Sequence, residues 1–564
     1  MLIAAATRPR WLFHLAHRMP WRVSPFTALI VLPLVSVAYP SAVHLLGDGY
    51  LLIRELDAEA WERLARTDRA PLTFWILIRL HRVLHWAGQD AEFTYRAVSV
   101  LSGLAYAVLS PVVAATLSEE RRRRTIISAF LLTAGYVQLF CGYVENYAPL
   151  YPGMLLLIAL LINAVRKRGP LWPASLLLGI LCSLHFSTAF LIPGVVAAGH
   201  LYSRSRGILR SAIEGVPFPI SVLSILWLIG FDFSTYISEA RSHTLPLFDP
   251  VTHNSAYTLL SAAHVGDLLN VLLLSAPLVL IVLPSVRPRD LLGDDVKTVL
   301  VTMLAGPFLF VFVANPEIGA FRDWDVLSLP ALPLLILTAY SWSARNPQGR
   351  VVVFVVGAAA LHTFLWIGLN ADAASASLRY KTLLKTVPLS THGKVYGWET
   401  MGSYSRENGN SEGSIEAYTQ ALDANPNHGR LWLLLGNAYQ QIDRLEEAAS
   451  AYGKTLQIEP RMREAHSNLG VIKVRKGQYQ EALEHLDRAI GIAPDFPDAH
   501  MNRGVALANI GRRDEAITSL RRAVALDPGY GNAYKNLATL YLQAGRRDSA
   551  RYFQLLARTR EELE

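Results

Sequence analysis

Four prolines, Pro426, Pro460, Pro494 and Pro528, stand 34 residues apart in the last third of the chain. A fixed period of that length constrains the fold more than composition does. Each repeat is a small unit that buries its apolar face only against its neighbours, so the array must stack. Other positions keep the same step. Trp398, Trp432, His466, His500 and Tyr534 open successive first helices. Gly402, Gly436, Gly470, Gly504 and Ala538 leave room where two helices cross. Ser414, Ala448, Ala482, Ala516 and Ala550 supply the matching small site on the second helix.

The pattern resembles the tetratricopeptide repeats, here five units of 34 residues over residues 394–564. That resemblance implies a superhelix of helix pairs with a concave face suited to extended polypeptide. Asn468, Asn502 and Asn536 recur at one register, in AHSNLG, AHMNRG and AYKNLA. A carboxamide both donates and accepts, so a row of them grips peptide backbone without reading side chains. The row is similar to the asparagine ladder of the O-GlcNAc transferase repeats. The plainer alternative is that these amides only solvate the helix.

The rest of the chain has a different character. Of 564 residues, 52% are hydrophobic and only 17% charged, and the mean hydropathy is +0.27. Soluble chains usually carry about 25% charged residues, so the deficit points to a membrane. It is confined to residues 25–370. Apolar runs of about 20 residues, the length that crosses a bilayer, fall near 25–46, 95–117, 125–141, 147–165, 170–185, 187–203, 209–230, 268–286, 296–314, 326–342 and 350–369. The expected fold class is therefore all-α: residues 1–24 a cytoplasmic segment, 25–370 a polytopic membrane domain of about eleven spans, 371–393 a linker, 394–564 the repeats. Residues 71–87 hold Arg79, His81, Arg82 and His85, which are costly inside a bilayer, and read instead as an amphipathic surface helix.

Charge sets the orientation. The net charge of +8 does not mark a nucleic-acid binder, because the basic residues sit between apolar runs, as in Arg121 to Arg124 and Arg166-Lys167-Arg168. Such clusters anchor cytoplasmic loops. With the basic N-terminus inside as a retained signal-anchor, the later basic loops near Arg204, Arg287 and Arg345 also fall inside. Eleven spans then place the repeats outside the cytoplasm, on the periplasmic side of a bacterial inner membrane. Cys141 and Cys182 both lie in apolar runs and read as packing residues.

Ionisable residues collect at the opposite ends of the spans, where function is the default reading in a membrane protein. The first outer loop, HLLGDGYLLIRE, carries Asp48 and Glu55; the second, CGYVENYAP, carries Glu145; a short hairpin carries His185. A longer loop holds Asp232, Glu239, Arg241, His243 and His253, and NPEIGAFRDWD holds Arg322, Asp323 and Asp325. A carboxylate there serves as general base toward a hydroxyl or binds a divalent metal ion. Arg322 suits a phosphate, or pairs with its neighbouring aspartates. Asp48 equally caps the helix that follows, and His185 equally packs or caps its hairpin.

This layout resembles the GT-C membrane glycosyltransferases, nearest in plan to protein O-mannosyltransferases that carry exoplasmic tetratricopeptide repeats. The resemblance covers residues 20–370 and implies a polyprenyl-phosphate sugar as donor, with Asp48 serving the acceptor hydroxyl. The family often shows adjacent Asp-Glu in that loop, where this chain has Gly47-Asp48-Gly49. An O-antigen ligase or polymerase also joins many spans to such repeats, and a membrane-anchored scaffold needs no active site at all. A transporter fits less well, since mid-bilayer ionisable groups are few.

Overall fold

The computed structural model describes residues 70–141, 147–234, 262–313, 328–387 and 391–561, together with Arg66 and Leu389. Its described residues are helical, and the chain divides into two compact units, Met1–Ser390 and Thr391–Glu564.

In the first unit the sequence signals act locally as expected of helices. Asp90 accepts from the Phe93 amide at 2.7 Å and so caps α2 (Ala91–Leu117), which follows α1 (Pro71–Trp86). Then come α3 (Arg121–Leu132), a 3₁₀ turn Gly135–Phe140, α4 (Leu150–Val165) and α5 (Trp172–Leu184). A second 3₁₀ turn, Phe186–Leu191, leads into α6 (Ile192–Arg206), then α7 (Ile208–Gly215) and α8 (Pro217–Ile229). The unit closes with α9 (Ala262–Ser275), α10 (Pro277–Val282), α11 (Asp295–Val313), α12 (Ala331–Ser343), α13 (Gly349–Ala371) and α14 (Ala373–Thr386). Each apolar run expected to cross a bilayer has a helical counterpart, except 25–46, which lies outside the described residues.

Length divides these helices. Among the described residues five stretches, and not the expected eleven or so, are long and apolar enough to cross a membrane: Ala91–Leu117, Phe186–Arg206, Ile208–Ile229, Asp295–Phe312 and Gly349–Ala371. The pair His264–Ser275 and Pro277–Ser285, bent by 104°, makes a sixth only where the two count as one span. Helices α4, α5 and α12 are apolar but shorter. The run near 268–286, expected as one span, is bent. It breaks because Pro277 has no amide hydrogen to donate and forces Ala276 out of helical conformation, to φ −142° and ψ 61°.

Close helix approach depends on missing side chains. A Cβ at Gly306 of α11 would lie 1.8 Å from the Phe190 carbonyl oxygen, and one at Gly194 of α6 would lie 1.9 Å from Met303. Only hydrogen fits there, so α6 and its preceding turn lie directly on α11.

The second unit is five helix pairs: α15 (Thr391–Glu407) with α16 (Ser411–Ala424), α17 (Gly429–Gln441) with α18 (Leu445–Ile458), α19 (Arg463–Arg475) with α20 (Tyr479–Ile492), α21 (Pro497–Asn509) with α22 (Arg513–Leu526), and α23 (Gly531–Gln543) with α24 (Arg547–Glu561). Within a pair the small residues do what their register required. A Cβ at Gly436 would meet the Tyr452 ring at 2.5 Å, and one at Gly470 would meet Leu486 at 2.6 Å. Ala448, Ala482 and Ala516 are fully buried opposite them, and Ser414 donates to the Gly402 carbonyl at 2.9 Å. Each first helix is followed by a left-handed residue, Gly409, Asp443, Gly477, Gly511 or Gly545, all at the same step of 34 residues. First helices of successive repeats also touch, α19 with α21 and α21 with α23. They therefore crowd the inner side of the curve, and residues on that side line a groove.

Candidate functional sites

In the repeat unit, rings at the fourth position of the first helix tie each repeat to the proline before it. Trp432 Nε1 donates to the Pro426 carbonyl at 2.9 Å, His466 Nε2 to Pro460 at 3.2 Å and His500 Nε2 to Pro494 at 3.0 Å. With its proton on Nε2, His466 has a bare Nδ1, which accepts from His485 Nδ1–H at 3.2 Å across the pair of helices. Burial lowers both imidazole pKa values, and Arg488 lowers them further; the Pro460 carbonyl partly offsets this for His466, as Glu484 does for His485.

The three register asparagines are half-buried on the inner helices. Asn468 Nδ2 donates to Asn437 Oδ1 of the preceding repeat at 2.9 Å. Tyr452 OH lies 2.7 Å from the same oxygen and 2.9 Å from Gln440 Oε1. A phenol has one proton, so it donates to one of these two oxygens, and its own oxygen accepts from the Asn468 amide. Burial pushes the Tyr452 hydroxyl above the ordinary tyrosine range. Asn437 was not legible as part of the row, since it stands three positions further along its helix. Asn536 Nδ2 lies 3.9 Å from Met501 Sδ, a weak acceptor. Asn502 makes no side-chain hydrogen bond among the described residues. Asn468 thus has its amide nitrogen engaged toward Asn437 and Tyr452 and its carbonyl available, while Asn502 and Asn536 keep nearly all their capacity.

In the first unit the loops sort by chemistry onto two ends. At one end basic side chains take up helix C-terminal carbonyls. Arg166 donates to Thr116 and Leu117 at the end of α2, at 2.5 and 2.9 Å. Arg122 donates to Asn346 and Pro347 beyond α12, and Arg123 to Ser343 and Tyr340. Arg345 reaches Ser285 and Asp290 beyond α10. Arginine at helix C-termini is electrostatically favourable, and these bonds gather basic loops far apart in sequence.

At the other end a second set of contacts joins the loops expected to lie outside. Thr73 donates to the Leu184 carbonyl at 2.8 Å, His264 Nε2 to Phe312 at 2.8 Å, and the Phe186 and Phe231 rings lie 5.3 Å apart. Tyr151 OH, on α4, bonds Ser328 Oγ just before α12. His185 is 5% exposed and packs on Tyr147 with ring centroids 4.7 Å apart. Its Nδ1 accepts from the Ser187 amide at 3.1 Å and the Ser187 hydroxyl at 2.6 Å, capping the 3₁₀ turn that follows. Asp48, Glu55, Glu145, Arg322, Asp323 and Asp325 lie outside the described residues, as do His243 and His253. Among the described residues no three His, Cys, Asp or Glu side chains are grouped to hold a metal ion.

A tetratricopeptide-repeat family model matches residues 400–465, 436–497 and 467–531, and a second one matches 510–561. These residues are tetratricopeptide repeats. Among solved structures, the crystal structure of MamA is 28% identical with a TM-score of 0.27, covering 30% of this chain and 92% of that one. YrrB, described as a tetratricopeptide-repeat protein with an unusual peptide-binding site, is 22% identical with a TM-score of 0.27, covering 34% and 94%. PilW, a type IV pilus biogenesis factor, is 23% identical with a TM-score of 0.29, covering 30% and 78%. No curated protein matches the chain.

Proposed function

We propose that this chain is an integral membrane protein whose tetratricopeptide repeats hold an extended polypeptide segment of a protein partner. The observation that carries the reading is the row Asn468, Asn502 and Asn536 on first helices that adjoin one another, with unspent carboxamide donors and acceptors. Such a row bonds backbone amides and tolerates varied side chains. The test is binding of an unstructured peptide panel to the full chain. Backbone N-methylation at alternate residues, or Asn502→Ala with Asn536→Ala, should weaken binding by about tenfold or more, the sum of two or three neutral hydrogen bonds. Binding that follows peptide sequence strictly and ignores both changes contradicts the proposal.

A second reading is favoured by the meeting of loop anchors at the end opposite the arginines. Here the membrane unit is a GT-C-like glycosyltransferase that moves sugar from a polyprenyl-phosphate donor to an extracytoplasmic protein or envelope glycan. Asp48 takes the acceptor proton, Glu145 assists it, Arg322 pairs the donor phosphate, and Asp323, Asp325 and His185 set the local field, with or without a divalent metal ion. Asp48→Asn keeps the shape and any cap but removes the base, so sugar transfer in isolated membranes should fall by roughly 10². An Asp48→Asn chain with full transfer excludes the mechanism. A ligase or polymerase would use the His253 loop instead. A scaffold loses nothing at Asp48 and everything when the chain from Lys394 onward is removed.

A further inference from the structure

The turn between α6 and α7 is built the wrong way out for water. Arg210 and Glu214 pair at 2.9 Å, and the carboxylate, in a residue only 8% exposed, also accepts from the Leu171 amide and, at 3.1 Å, from the Tyr202 hydroxyl. The polar side of α7 thus faces the protein. Its apolar side faces away: Ile208 is 80% exposed, Leu209 72% and Ile213 60%. Gly207, at φ +89°, lets the chain reverse there. Directly before it stand Arg204 and Arg206, both exposed.

Charge at this end is unbalanced. Its carboxylates are largely taken, Glu119 by Arg168 at 2.7 Å, Asp290 by Arg345 at 2.6 Å and Glu214 by Arg210. Arg121, Lys167, Arg204, Arg206, Arg287 and Arg289 are exposed, and no ion pair to a carboxylate forms at any of them among the described residues. Four arginines also begin α3, where the helix dipole repels cations. Gathered like charges with an apolar tip between them suit a surface that is anionic at one depth and apolar just beneath. A free anion satisfies the arginines but not Ile208 and Leu209; an acidic soluble protein leaves the apolar tip in water.

We propose that this basic end seats anionic phospholipid headgroups. Arg204 and Arg206 bond the headgroup phosphate, and Ile208 and Leu209 enter the acyl boundary. The proposal rests on the membrane reading of the first unit. To test it, the full chain is reconstituted in nanodiscs of phosphatidylcholine mixed with phosphatidylglycerol, extracted in mild detergent, and the lipid that stays bound is analysed. Phosphatidylglycerol should be enriched about threefold or more over its share of the bilayer. Arg204→Gln with Arg206→Gln should abolish the enrichment, and Arg204→Lys with Arg206→Lys should keep it. Bulk-like lipid on the wild-type chain overturns the proposal. So does displacement of the bound lipid by millimolar inorganic phosphate, or a lysine variant that loses lipid as the glutamine variant does. A chain that fails to enter nanodiscs at all refutes the membrane reading, and the seat with it.

Discussion

Asn468 has two uses, and they make different demands on the same amide. Its amide nitrogen holds the neighbouring repeat through Asn437 and bonds Tyr452, while its carbonyl is left for a ligand. Asn468→Ala therefore should cost the repeat unit about 1 kcal/mol, the net worth of one partly buried hydrogen bond. Asn502→Ala, which breaks no bond within the chain, should stay within about 0.5 kcal/mol. Urea melts of the segment Thr391–Glu564 separate the two. The row itself was legible because three identical residues share a period; Asn437 was not, because its part in the network depends on how one repeat leans on the next. The histidine pair gives a second forecast. His466 and His485 have folded pKa values below the ordinary value near 6.5, so between those values the unfolded chain binds more protons. Stability gained above about pH 6.5 is then lost as pH falls below it. The melting temperature of the segment should drop on going from about pH 7 to about pH 5.5, and His485→Gln should flatten that drop. An unchanged slope in the variant excludes the pair as its source.

Helices reveal which sequence signals carry through the fold. The 34-residue step gave the repeat pairs and their small crossing residues because every repeat faces the same packing problem. The left-handed residues closing the first helices had the same period and were missed. Glycine marks four of the five, and Asp443 alone keeps a side chain at φ 63°. Asp443→Gly should stabilise the repeat unit by about 0.5–1 kcal/mol by relieving that conformation. The exposed pair it loses with Arg475 contributes little. A lower melting temperature in the glycine variant shows that the Arg475 contact outweighs the backbone strain. In the first unit, hydropathy placed the helices but not their continuity. Pro277 breaks one apolar run, whereas Pro111 and Pro307 lie inside helices that continue. Whether proline ends a helix depends on the neighbours that receive the freed carbonyl, and composition does not encode them. The inverted polarity of α7 was hidden for a related reason: an eight-residue stretch of mixed residues reads as an ordinary loop until its partners are known.

Across the whole molecule, the two ends of the first unit repeat the division by charge along the chain. Bonds from Arg122, Arg166 and Arg345 gather one set of loops, and bonds at Thr73, Tyr151 and His264 gather the other. By the positive-inside rule the arginine set is the one expected on the cytoplasmic side. The sequence offers the loop carboxylates as candidates because such groups are rare beside apolar runs, but Asp48, Glu145, Asp323 and Asp325 lie outside the described residues. Everything proposed for Asp48 and for the peptide groove requires the outer loops and the repeats to share the extracytoplasmic side. That is tested most directly by fusing a reporter active only outside the cytoplasm, once after Glu564 and once within Arg121–Arg124. The first fusion should be active and the second silent. A silent fusion after Glu564 with an active one at the arginines contradicts the eleven-span arrangement and puts the groove and Asp48 on the wrong face of the membrane.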